Sequence, residues 1–133
     1  MNVLFVCVRN AGRSQMAEAL LRLAAGGAHD ARSAGSAPAE YVHPEVVAAM
    51  QELGVDLSDR KPHRLERADA EWADVVATMG CGDACPYIPG KRYIDWELDD
   101  PAGKSLAETR AIRDDIAARI EALLSDLNGK ASP

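Results

Sequence analysis

The 133-residue chain has few cysteines, no excess of positive charge and no long apolar run, and each shortage removes a class of function. Three cysteines, an odd number, do not make the paired framework of a small secreted domain. A net charge of −6 supplies no basic field to recruit nucleic acid, so any anion must be held by local geometry. No stretch reaches the ~18–20 apolar residues of a membrane span, and the N-terminus has no export-signal pattern. A cytoplasmic location, away from any membrane, is the expectation. The histidines, His29, His43 and His63, lie apart without ligand spacing, so no bound metal is expected. No repeat, low-complexity tract or linker interrupts the chain, and a single domain over residues 1–133 is expected.

What is present is an alternation of strand and helix signals. Residues 3–6 read as a buried parallel strand. Good helix formers follow over about 14–25, with Met16, Leu20, Leu23 and Ala24 at helical spacing. A short strand is expected near 28–33. Pro44 opens a helix to about residue 53, with Val47, Met50 and Leu53 inward and Gly54 as its stop. Strands at 74–78 and 91–95 precede a helix over about 106–127, which carries Ile112, Ile116, Ile120, Leu123 and Leu127 on one face. Residues 128–133 are expected to fray. This order predicts an α/β fold, a single-domain three-layer sandwich in which helices cover both faces of a four-stranded parallel sheet. Ligands of such sheets bind at the carboxyl ends of the strands.

Cys7 stands at one of those ends. The run Cys7-Val8-Arg9-Asn10-Ala11-Gly12-Arg13-Ser14 places a thiol where a strand stops and a helix begins. Backbone N–H groups there face the concavity at a helix N-terminus, a ready anion site. Val8, Arg9, Asn10, Ala11, Gly12, Arg13 and Ser14 are therefore the candidate oxyanion-binding residues. Gly12 lets the backbone wrap closely, and Arg13 adds a planar fork of donors for two oxygens of a tetrahedral anion. A helix terminus beside a cation favours the thiolate, the nucleophilic form of cysteine. Ser14 is placed to hydrogen-bond the sulfur, and Asn10 to fix the loop through its amide. A lone cysteine at a strand end is more often a small core residue. The Cys7-to-Arg13-Ser14 spacing across the junction favours the reactive reading.

Two more unusual stretches follow. Cys81 and Cys85, in Gly80-Cys81-Gly82-Asp83-Ala84-Cys85-Pro86, form a pair able to close by thiol–disulfide exchange. Half a zinc site is the weaker reading, since no second pair lies nearby, and two unrelated structural cysteines are another. Three thiols suggest a relay in which the first attacks an oxidant, the second attacks the first, and the third carries the oxidising equivalents outward. Asp95, Glu97, Asp99 and Asp100 crowd a single turn. Displacement at a tetrahedral centre needs a carboxyl to protonate the leaving oxygen, and Pro101 biases Asp100 toward an extended, cleft-crossing conformation. A solvated acidic loop is the plainer reading of such a run, and the residues leave both open. Trp72, Trp96 and Tyr87 are assigned to core or rim.

Taken together and in order along the chain, Cys7 to Ser14, Ser33-Ala34-Gly35 and Asp99-Asp100-Pro101-Ala102-Gly103-Lys104 resemble one family. It is the arsenate reductases built on the low-molecular-weight protein tyrosine phosphatase fold. Phosphatases of that superfamily typically follow the Asp-Pro with tyrosine, where this chain has Ala102 and Gly103, and they lack the Cys-x3-Cys loop. The resemblance implies that Cys7 attacks the arsenic of arsenate, with phosphate or sulfate competing, while Asp100 acts as general acid. Cys81 would then attack Cys7 and release arsenite, and Cys85 would attack Cys81, leaving a disulfide that thioredoxin reduces. No bound cofactor is implied, only a thiol reductant.

The spacer Gly82-Asp83-Ala84 is shorter than in many thioredoxin-coupled members. Related enzymes use mycothiol and a mycoredoxin-like partner and need Cys7 alone, and a tyrosine phosphatase is a further alternative. A non-catalytic arsenic or redox sensor would leave Arg13 and Asp100 without a purpose. Some members bind potassium through an Asn, a Glu, a Ser and an Asp. Asn10, Glu18 and Ser33 match, but His63 stands at the Asp position. Potassium is accordingly not expected here, and Glu18 reads as a solvated helix carboxylate.

Overall fold

Strand β1 (Asn2–Cys7) buries every residue after Asn2, which a strand sustains only when both faces of its sheet are covered. A computed structural model describes residues 1–79 and 89–131, the last three by backbone alone. After β1 come α1 (Arg13–Ala25), β2 (Asp30–Gly35), α2 (Pro44–Gln51), α3 (Arg67–Trp72), β3 (Val75–Thr78), β4 (Arg92–Asp95) and α4 (Leu106–Ala131). The strands form one parallel sheet in the order β2-β1-β3-β4. The expected four-stranded α/β architecture is the one observed. With β2 on one side of β1 and β3 on the other, the chain's successive connections diverge around the carboxyl end of β1. Such a switch point opens a crevice for ligand.

Side chains alternate across the sheet. Val3, Phe5 and Cys7 join Met16, Leu20 and Leu21 of α1, Val46 and Met50 of α2 and Ile112, Ile116 and Ile120 of α4 in the larger core. Leu4 and Val6 face the other way, onto Ala34, Val76 and the α3 residues Ala70 and neighbouring Ala73. Trp96 lies in the larger core with its ring 5.8 Å from that of Phe5, and Trp72 carries the Arg32 guanidinium over its face at 4.2 Å.

Several boundaries and faces differ from expectation. The inner side of α1 is Met16, Ala17, Leu20 and Leu21, and Leu23 is 58% exposed. The stripe is rotated because Ser14, Gln15 and Glu18, although polar, also occupy the buried side. Helix α2 ends at Gln51 with Val46, Ala49 and Met50 inward, while Leu53 is exposed just before Gly54 turns the chain at φ +80°. Strand β2 begins later than expected, in register with β1 from Asn2↔Asp30 to Cys7↔Gly35. Helix α3, unforeseen, is short and opens with a capping box between Glu66 and Asp69. Helix α4 continues to Ala131 instead of fraying at 128, and the Asn128 amide oxygen lies 3.0 Å from His29 Nε2.

Helices α2 and α4 are clasped at the surface. Arg113 donates to the carbonyl of Ala49 at 2.8 Å and to Glu52 at 2.7 Å. Arg110 grips both oxygens of the same carboxylate, and this hydrogen bond above all lowers the Glu52 carboxyl to about 2.

Candidate active site

The loop after β1 is held from behind by a single stretch of chain. N–H groups of Ser36, Ala37, Ala39 and His43 donate to the carbonyls of Cys7, Val8, Arg9 and Ala11 at 3.4, 2.8, 2.9 and 3.0 Å. In a trans peptide the N–H points opposite to the C=O, so carbonyls drawn to one side leave the following N–H groups on the other. The N–H of Asn10 accordingly donates to Cys7 Sγ at 3.3 Å. This approach is possible only because residue 35 is glycine. A Cβ there would sit 2.7 Å from the Val8 carbonyl oxygen and 2.9 Å from the Asn10 nitrogen, both immovable backbone.

Cys7 is buried and its sulfur lies 2.8 Å from Ser14 Oγ. Asn10 Nδ2 donates to the same hydroxyl at 2.7 Å, so the amide expected to fix the loop holds the residue that meets the sulfur. The Asn10 side-chain oxygen in turn accepts from Gln15 Nε2 at 3.0 Å and from the His63 backbone at 2.8 Å. Asn10 itself takes the left-handed backbone (φ 51°) that the loop requires. At Gly12 the close wrapping expected of glycine takes the form of room, since a Cβ there would lie 2.5 Å from Pro101 Cγ.

Pro101 thereby seats the acidic segment on the loop. Asp100 caps its own turn by accepting from the Ala102 N–H at 3.0 Å, and its other oxygen lies 3.7 Å from Arg13 Nη2. Arg13 also donates to the Leu98 carbonyl at 3.4 Å. Of the four crowded carboxylates, Asp95 instead accepts from the Thr78 hydroxyl at 2.9 Å. Cys7, Arg13, Ser14, Asn10 and Asp100 are thus brought to one place. Cys81, Cys85 and Tyr87 lie outside the described residues.

The model of the low molecular weight phosphotyrosine protein phosphatase family matches residues 2–132. The chain belongs to that family. Among its relatives, an arsenate reductase of Brevibacillus brevis is 39% identical over 123 residues, 90% of each chain. A glutaredoxin arsenate reductase of Synechocystis is 36% identical over 129 residues, 95% of this chain and 98% of that one. The solved thioredoxin-dependent arsenate reductase of Corynebacterium glutamicum superposes with a TM-score of 0.83 at 44% identity. That match takes in 97% of this chain, which spans only 62% of the Corynebacterium one.

The expectation for Glu18 is corrected. Glu18 is not a solvated helix carboxylate; it is 3% exposed. Ser33 Oγ donates to it at 2.8 Å, Arg60 Nη2 lies 2.7 Å from its second oxygen, and Arg22 approaches at 3.2 Å. A buried carboxylate needs such partners, which no sequence period reveals. Of the residues matching the family's potassium ligands, Glu18 is held by the Arg60 guanidinium and the Asn10 oxygen accepts two hydrogens.

Proposed function

We propose that this protein is an arsenate reductase that converts arsenate to arsenite with electrons from a thiol partner. The observation that carries this is a buried thiol, Cys7, held 2.8 Å from Ser14 in a loop whose carbonyls are bonded away from it. Relatives named as arsenate reductases at 36–39% identity support arsenate over phosphate esters.

Arsenate enters the nest formed by the amides of residues 8–14, and Arg13 turns from Asp100 to two of its oxygens. Cys7 thiolate attacks arsenic, forming an S–As bond, while Asp100 gives a proton to the departing oxygen, which leaves as water. Cys81 thiolate then attacks the Cys7 sulfur. The S–As electron pair passes to arsenic, arsenate becomes arsenite, and a Cys7–Cys81 disulfide remains. Cys85 attacks Cys81, freeing Cys7, and thioredoxin reduces the Cys81–Cys85 disulfide. Such a cycle belongs in a reducing cytoplasm, and no helix among the described residues is long and apolar enough to cross a membrane.

The test is steady-state arsenite production with thioredoxin and its reductase, and separately with mycothiol or glutathione and a matching redoxin. Cys81→Ser should lose the thioredoxin-driven turnover. Unchanged thioredoxin-driven turnover in that variant would remove Cys81 from the mechanism, and turnover only with the small thiol would move the reading to a Cys7-only transferase. The family itself favours one second reading, a tyrosine phosphatase. Vigorous aryl phosphate hydrolysis without arsenite formation would establish it.

A further inference from the structure

Gln15 belongs to none of the groups that touch an anion, yet it is 1% exposed and packed behind the loop. Its Nε2 donates to Asn10 Oδ1, while its own Oε1 is the one buried side-chain polar atom among the described residues with no partner. Leaving a buried carbonyl unmatched is costly. Turning the amide over would not help, because it would set Oε1 against the oxygen of Asn10, acceptor against acceptor.

The chain of donors resolves an ambiguity at the nucleophile. At 2.8 Å, either Ser14 or Cys7 could supply the shared hydrogen. Asn10 Oδ1 receives two donors, from Gln15 and from the His63 backbone, so its Nδ2 must face Ser14. An amide nitrogen only donates, hence Ser14 Oγ accepts from it, and because a thiolate has no hydrogen to give, the hydroxyl's own hydrogen goes to the sulfur. We infer that Gln15 is a positioning residue for the reaction: by locking the Asn10 amide it commits the Ser14 hydroxyl to donate to the Cys7 thiolate. This rests on the reading of Cys7 as the nucleophile but not on the identity of the oxyanion.

The test is the rate and pH profile of Cys7 alkylation by iodoacetamide in the full chain, without arsenate. It is followed by mass spectrometry of tryptic peptide 1–9, in which Cys7 is the only cysteine. In Gln15→Glu a carboxylate faces Asn10 Oδ1, and the amide is driven to turn its nitrogen toward residue 15 and its oxygen toward Ser14. Alkylation at neutral pH should then slow roughly tenfold, the size of one lost hydrogen bond to a charged group, and the profile should move to higher pH. Gln15→Met removes the donor without the repulsion and should slow it about two- to threefold, since the His63 N–H remains.

In a Ser14→Ala background both substitutions should have almost no further effect, because the relay ends at that hydroxyl. A general electrostatic or packing role for residue 15 would persist there. Wild-type alkylation in Gln15→Glu, or in Gln15→Met should the former not fold, would overturn the inference, as would full persistence of the effect without Ser14. Loss of arsenate reduction with alkylation unchanged would fault the inference and leave the proposed function standing.

Discussion

The nucleophile and the acid of this site are built in opposite ways. Cys7 is buried, its sulfur has contacts from Ser14 and Asn10, and the loop around it is pinned by four backbone bonds from residues 36–43. Asp100 has a 55% exposed side chain on a segment held by its own turn, by the Arg13 pair at 3.7 Å and by the seat of Pro101 on Gly12. The difference follows from what each must do. A thiolate needs donors fixed before the anion arrives, since preorganised dipoles need no rearrangement during reaction. An acid that meets arriving and departing oxygens has to let them pass. Arg13, paired with Asp100 in the free protein and needed by the anion later, joins the rigid half to the open half.

That contrast can be broken from either side, using arsenite production for the whole reaction and Cys7 alkylation for the nucleophile alone. Asp100→Asn should lower kcat by about 10²–10⁴-fold, the range for a lost general acid, and leave alkylation as it was. Gly12→Ala should lower arsenate reduction by up to on the order of a hundredfold, because the new Cβ pushes Pro101 and with it the acid out of line. Its alkylation rate should stay near wild type. Gly35→Ala should do the reverse, displacing the loop that carries Asn10 and slowing alkylation itself by roughly tenfold. If Gly12→Ala slows alkylation as much as Gly35→Ala does, the two halves are not independent.

The smallest effect is expected farthest from the site. Glu52→Gln should leave reduction and alkylation unchanged and lower only the stability above the carboxylate's titration range. The Glu52 carboxyl is lowered from 4.5 to about 2, first of all by the Arg110 hydrogen bond. A depressed carboxylate contributes stability that is complete above its unfolded value and is lost as the pH falls through its folded value. Wild type should therefore exceed the variant in urea midpoint above about pH 4.5, and the gap should close toward about pH 2. A gap that held constant with pH would show that the clasp contributes packing alone.

How much of this the amino-acid order discloses depends on how far apart the partners lie. Cys7, Asn10, Arg13 and Ser14 fall within eight positions, so their meeting is a property of one turn and could be read from spacing. The backing segment at 36–43, the Pro101 seat on Gly12 and the Arg60 partner of Glu18 join residues dozens of positions apart, and no period of 2 or 3.6 encodes them. A carboxylate on a helix looks solvated until the arginine that buries it is placed. Gly35 stands out in the sequence only within Ser33-Ala34-Gly35, and its function is clearance beside Val8, which depends on the fold. Helix α3 leaves no signal in the sequence because six residues carry too little periodicity to stand out.

The central claim is that Cys7 takes arsenic through an oxygen displacement and that electrons come from the chain's own thiols. Its most direct test is a single turnover: reduced protein mixed with arsenate and no reducing partner, with released arsenite and remaining free thiols counted together. The account predicts about one arsenite per chain with the loss of two thiols, and none from Cys7→Ser. Arsenate recovered intact with every thiol still free would contradict it.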